Sequence, residues 1–170
     1  MRHIFLTGEI QIGKSTVIRR ALALSKPRYG GFETYFSADR SDPNRRLFIG
    51  KAGITRRYDA EGTVARFSHD GPPQAYPERF DTLGSQLIRS AALRCQLIVM
   101  DELGNLENEA VHFQSSVFDA LEGDVPILGV IKLSSNGWVE KIRSHPNVAL
   151  ITVDERNRDG LPESLAGLLR

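Results

Sequence analysis

Residues 8–15, "GEIQIGKS", place a glycine, four further residues, a second glycine, a lysine and a hydroxyl in fixed order. The compact apolar run "RHIFLT" (2–7) leads straight into them. "KSTVIRRALALSK" (14–26) follows, with Val17, Ile18, Ala21, Leu22 and Leu24 at helical spacing and Arg19, Arg20 and Lys26 opposite. Strand, glycine loop and helix in immediate succession form a phosphate cradle. The loop's N–H groups point inward around an anion, and the helix adds its positive end. Lys14 at that end is unfavourable by itself, because a cation meets the positive pole of the dipole. An anionic ligand removes the conflict. On this reading Gly8, Glu9, Ile10, Gln11, Ile12, Gly13, Lys14, Ser15 and Thr16 line a triphosphate. Lys14 reaches the β- and γ-phosphates, the Ser15 hydroxyl binds Mg²⁺, and Thr16 sits next to the α-phosphate.

The remaining pattern alternates strands with helices. "GFETYFSADR" (31–40) reads as a strand. "YPERFDTLGSQLIRSAAL" (76–93) reads as helical in its second half, and "CQLIVMDELG" (95–104) as a strand buried on both faces. An amphipathic helix (107–123), a buried strand (125–131), a short helix (137–145), a strand (148–153) and a last helix (161–169) complete the chain. Such alternation implies a three-layer α/β fold with a mostly parallel central sheet. Residues 41–75 differ in character. Turn residues separate "RRLFIG" (45–50), "ITRRYD" (54–59) and "TVARFSH" (63–69), which predicts a small antiparallel hairpin insertion on one domain spanning 1–170.

"LIVMDELG" sets Asp101 and Glu102 at the C-terminal end of a buried strand, where ligands of open α/β sheets bind. Asp101 fits the acid that holds Mg²⁺ through water. Glu102 fits the base that orients and deprotonates an attacking water. With Lys14 these form the expected catalytic set. Placing a carboxylate next to the metal acid favours water as the acceptor, hence hydrolysis over transfer.

Composition narrows the partners. Basic and acidic side chains nearly balance, 22 against 21, which points to neither nucleic acid nor an anionic membrane. A single cysteine, Cys95, leaves no intrachain disulfide and no cysteine-built metal site. No apolar run approaches the ~20 residues that span a bilayer, and the first residues read as a strand and not a signal peptide. A cytoplasmic protein is expected.

Four segments in order, "LTGEIQIGKST", "GGFETYF", "LIVMDELGNLE" and "ITVDERNRDGLPESL", resemble the small P-loop nucleoside-triphosphatases of the thermophile type, also called cancer-related nucleoside-triphosphatases. The resemblance covers essentially the whole chain. It implies a RecA-like P-loop NTPase fold and slow Mg²⁺-dependent hydrolysis of ATP, GTP and other nucleoside triphosphates to diphosphate and phosphate. The chain departs from many members at Gln11, where they carry glycine, and at Ser15, where they carry threonine. The alternatives are a nucleotide or small-molecule kinase using the same loop, and a regulatory nucleotide-binding module.

Other residues carry weaker signals. Asn157, Arg158 and Asp159 either contact base or phosphates or close a turn on their own backbone, and the resemblance tips them toward contact. The arginines of 45–66, Arg56 and Arg57 first, either supply a charge-stabilising finger or protect a strand edge. Lys132 and Ser134 follow the strand beside the expected metal strand, a position suited to sensing the γ-phosphate. Trp138 reads as core or interface. His3, His69, His112 and His145 lack metal-ligand spacing.

Overall fold

The computed structural model describes residues 3–39, 41–134 and 137–169. Eight strands form one sheet: β1 (His3–Thr7), β2 (Tyr29–Phe36), β3 (Arg46–Lys51), β4 (Thr63–Ser68), β5 (Gly71–Ala75), β6 (Leu97–Leu103), β7 (Ile127–Ile131) and β8 (Val148–Thr152). Their order is β5-β4-β3-β2-β6-β7-β1-β8. From β2 to β8 every neighbouring pair is parallel. From β2 to β5 every pair is antiparallel.

Helices cover both faces. α1 (Lys14–Ser25) packs beside α5 (Leu161–Leu168) over one of them. Its buried side is Val17, Ile18, Ala21 and Leu22, while Leu24, expected on the same stripe, is 47% exposed. The four buried residues share a core with Leu97, Val99, Leu128 and Val130. On the other face, Pro77–Arg79, the wider turn Phe80–Gly84 and Ser85–Arg94 run on without a break as α2. It is joined by α3 (Val111–Glu122) and α4 (Trp138–Arg143). There Phe32, Ile98 and Met100 pack against Phe80, Phe113 and Trp138. Alternation along β6 thus sends Ile98 and Met100 to one side and Leu97 and Val99 to the other, so a continuous apolar run fills both cores.

The parallel sheet and layered arrangement agree with the sequence. The 41–75 region differs in detail: it extends the sheet edge as the three-strand meander β3-β4-β5. "ITRRYD" (54–59) is irregular loop and not a strand. Conversely, "GPPQA" (71–75) is a strand despite Pro72 and Pro73. β5 is the outermost strand, so the missing N–H groups cost little. The helix expected in the second half of 76–93 starts at Pro77. The one expected from 107 starts at Val111, after a single tight turn at Asn105–Glu107. Among the described residues no helix is long and apolar enough to cross a membrane.

Candidate active site

The loop joining β1 to α1 has left-handed backbone at Gly8 (φ 141°), Gln11 (φ 62°) and Gly13 (φ 111°). A Cβ on Gly8 would lie 2.5 Å from the Val153 carbonyl oxygen, so packing against the end of β8 also demands glycine there. Gln11 adopts a conformation that costs an L-residue about 1 kcal/mol. The Val17 N–H donates to the Gly13 carbonyl, beginning the helix directly at the loop. The Lys14 ammonium, almost fully buried, donates to the carbonyls of Gly8 and Glu9 at 2.8 Å each. It is thereby held along the loop beside the N-terminal end of α1. Ile10, by contrast, stands 87% exposed at the loop tip, and Thr16 accepts a bond from Arg19 at 3.3 Å.

β6 brings the expected acids to this loop. Alternation puts Asp101 on the same face as Leu97 and Val99, under the start of α1. The Ser15 hydroxyl donates to Asp101 Oδ1 at 3.1 Å. Asp101 is buried, and burial pushes its carboxyl up to about 6, against the lowering effect of the Ser15 bond. Glu102 is half-buried. Burial raises its pKa too, and the Lys132 and Lys14 ammonium groups oppose that rise. Glu102 therefore feels the loop lysine and the lysine that follows β7. The Thr34 hydroxyl on β2 donates to the Asp101 carbonyl at 3.4 Å and accepts the Glu102 N–H at 3.3 Å, tying the strand end down.

Beyond the acids the chain is clamped at Gly104. Its N–H donates to Glu107 Oε2 at 2.9 Å, and its carbonyl accepts the Trp138 indole N–H at 3.0 Å. A Cβ there would lie 3.0 Å from Lys132 Cδ, so the Lys132 stem packs across the glycine. Glu107 is fully enclosed, and burial pushes its carboxyl up to about 8. Trp138 is core, one of the two readings of the sequence. Thr34 and the clamping role of Glu107 carry no local sequence signal beyond the spacing of Glu107 from Asp101.

The segment after β8 divides its residues. Asn157 is occupied in its own turn: its amide donates to the Thr152 carbonyl at 2.8 Å and its oxygen accepts the Asp154 N–H at 2.9 Å. Arg158 reaches the loop, donating to the Ile12 carbonyl at 3.5 Å. Of the hairpin arginines, Arg56 pairs with Glu33 at 3.3 Å and lies over the Tyr35 ring, and Arg45 lies over Phe36 and Phe67. The Arg57 N–H donates to the Tyr35 hydroxyl at 2.9 Å. Ser134 is exposed.

A Mg²⁺ ion suits this arrangement. One hydroxyl and one carboxylate converge beside the glycine loop, and Mg²⁺ takes one or two such oxygens plus phosphate oxygens and water. Among the described residues no cluster of three or more His, Cys, Asp or Glu side chains offers an all-protein cage.

A parallel sheet whose first strand feeds a glycine-rich loop and helix, with a neighbouring strand's acid bonded to the loop serine, is the framework of the P-loop nucleoside-triphosphatase class. A family model described as NTPase matches residues 3–166. The nucleoside-triphosphatase THEP1 of Methanosarcina barkeri is 33% identical over 181 residues, covering 100% of this chain and 98% of that protein. The THEP1 of Methanosarcina acetivorans is 31% identical over 175 residues, covering 97% and 95%. Two solved structures share the fold. THEP1 from Aquifex aeolicus superposes with a TM-score of 0.76 at 22% identity over 99% of each chain. A human cancer-related nucleoside triphosphatase does so with 0.77 at 24% identity over 100% of this chain and 98% of that one. The chain belongs to the NTPase family.

Proposed function

We propose that the protein hydrolyses nucleoside triphosphates, ATP and GTP among them, to diphosphate and phosphate with Mg²⁺. The observation that carries this reading is the Ser15–Asp101 hydrogen bond, which joins the phosphate loop to an acid at the end of β6. The N–H groups of residues 9–16 and the Lys14 ammonium would hold the β- and γ-phosphates. Ser15 and Asp101 would hold Mg²⁺. When bound, the ion neutralises charge on the phosphate oxygens. Glu102 takes the proton of the attacking water. Burial raises its pKa, against the lowering effect of the Lys132 and Lys14 ammonium groups, and a raised pKa makes the carboxylate a stronger proton acceptor. Arg158, which donates to the Ile12 carbonyl of the loop, would contact the base or the phosphates.

Steady-state phosphate release across a panel of nucleoside triphosphates, with and without Mg²⁺, tests this. Release from ATP and GTP that requires Mg²⁺ and vanishes in Lys14→Ala is the expected result. Tight nucleotide binding without measurable release would instead favour a regulatory module.

A further inference from the structure

Among the described residues two carboxyls are buried, Asp101 and Glu107, and the hydrolytic reading uses only the first. Glu107 closes the tight turn Asn105–Glu107 directly after β6. Its side chain folds back along the chain and accepts the Gly104 N–H at 2.9 Å. The Gly104 carbonyl is taken as well, by the Trp138 indole of α4 at 3.0 Å. One step earlier, the Leu103 carbonyl accepts the Lys132 N–H at 3.1 Å, and Leu103 is fully buried. Glu107 is itself anchored, since its carbonyl accepts the Gln114 amide of α3 at 2.7 Å. The Thr34 hydroxyl already holds the Glu102 N–H from the β2 side. The backbone around Glu102 is therefore fixed both at that residue and at the two that follow it.

Capping this turn needs an acceptor and no charge. An enclosed carboxyl there brings a charge close to two groups of the site. The Glu102 carboxylate and the Lys132 ammonium both act on Glu107. The same ammonium acts on Glu102, and the Lys132 stem lies across Gly104. The other elements around the turn leave this triangle undisturbed. α3 presents Gln114, and α4 presents Trp138. Arg143 of α4 is bonded to the Lys132 and Leu133 carbonyls and paired with Glu140. β5, which packs against the turn, has no ionisable side chain over Gly71–Ala75. Glu109 and His112 are exposed.

We propose that Glu107 is a positioning residue for hydrolysis: through the Gly104 amide and the Lys132 stem it sets where the Glu102 carboxylate stands beside the loop. The proposal rests on Glu102 as the base for water. Protonated, Glu107 caps the turn without a charge, and the Lys132 ammonium stays with Glu102. Ionised, it is a buried anion that draws the Lys132 ammonium to itself and repels the Glu102 carboxylate. Burial places this titration at about 8, so turnover is lost as pH rises through that value.

The test measures phosphate release from MgATP, and MgATP binding, at about pH 7 and about pH 9 for the full chain, Glu107→Gln and Glu107→Leu. In the unsubstituted chain kcat should fall about tenfold between the two pH values, as a group titrating at about 8 loses its proton. Glu107→Gln keeps an acceptor for the Gly104 N–H and cannot ionise, so this alkaline loss should disappear. Glu107→Leu removes the acceptor, and its kcat at about pH 7 should fall about 10–100-fold with the MgATP dissociation constant unchanged. If Glu107→Leu does not fold, the profile of Glu107→Gln decides alone. A merely structural cap predicts parallel pH profiles in the unsubstituted chain and Glu107→Gln, and that result overturns the proposal while leaving hydrolysis standing. Full turnover in Glu107→Leu overturns it too. No phosphate release from the unsubstituted chain at either pH sinks both readings.

Discussion

The Ser15 hydroxyl donates to Asp101 Oδ1 at 3.1 Å, although 86 residues separate the two. The contact joins the first turn of α1 to the end of β6, and it brings together the hydroxyl and the carboxylate proposed to hold Mg²⁺. Ser15→Ala and Asp101→Asn should each weaken the apparent Mg²⁺ affinity in phosphate release by at least about tenfold. Ser15→Thr, which keeps the hydroxyl, should retain activity. Asp101→Asn removes a buried charge whose pKa is raised by burial, so its thermal midpoint should be unchanged or higher while activity is lost. A lower midpoint would mean that the carboxylate is held for stability.

Gln11 is a point of backbone strain that can be measured. Its φ of 62° is one that glycine adopts freely. Gln11→Gly removes a left-handed cost of about 1 kcal/mol, but adds about 0.5–1 kcal/mol of unfolded-chain freedom. The unfolding midpoint should therefore barely move. Gln11→Val sets a β-branched residue in the same conformation and should destabilise by about 1–2 kcal/mol. Denaturant titration of the two variants checks both values, and equal stabilities would contradict the strain.

Glu107 makes stability depend on pH. Its carboxyl titrates at about 8 in the folded chain against an ordinary value of 4.5, because burial disfavours the charged form. The fold prefers the proton. The stabilisation from the protonated acid is fully present below about pH 4.5 and is lost as pH rises toward 8. Glu107→Gln keeps an oxygen for the Gly104 N–H and removes the titration. Thermal midpoints of protein and variant should be similar near pH 4.5, and the variant should gain steadily up to pH 8. Parallel curves would contradict the buried titration.

Legibility in the sequence followed the range of the interactions. The loop and the acid pair are local patterns, with apolar runs beside them that allow one strand-and-helix reading. Thr34 meets the Asp101–Glu102 backbone, and Glu33 stands in register with Asp101, across 67–68 residues of chain, and nothing near them marks it. β5 escaped notice because Pro72 and Pro73 contradict the strand pattern, and only its outermost place makes them acceptable. "ITRRYD" alternates as a strand does. Yet Arg56 is drawn to Glu33 and the backbone of Arg57 to the Tyr35 hydroxyl, which fixes a loop instead. Asn157 and Arg158 adjoin in sequence, but one closes a turn and the other reaches Ile12. The departure at Gln11 was visible as composition, but the sign of its φ was not.

The proposed hydrolysis rests on Glu102 as the base for water beside the loop. Its most direct test compares phosphate release and MgATP binding in Glu102→Gln. The variant preserves shape and the Thr34 bond to the Glu102 backbone N–H, and it removes only the base. Turnover should fall by about 10²–10⁴-fold with the MgATP dissociation constant unchanged. Full turnover in Glu102→Gln would rule out Glu102 as the base.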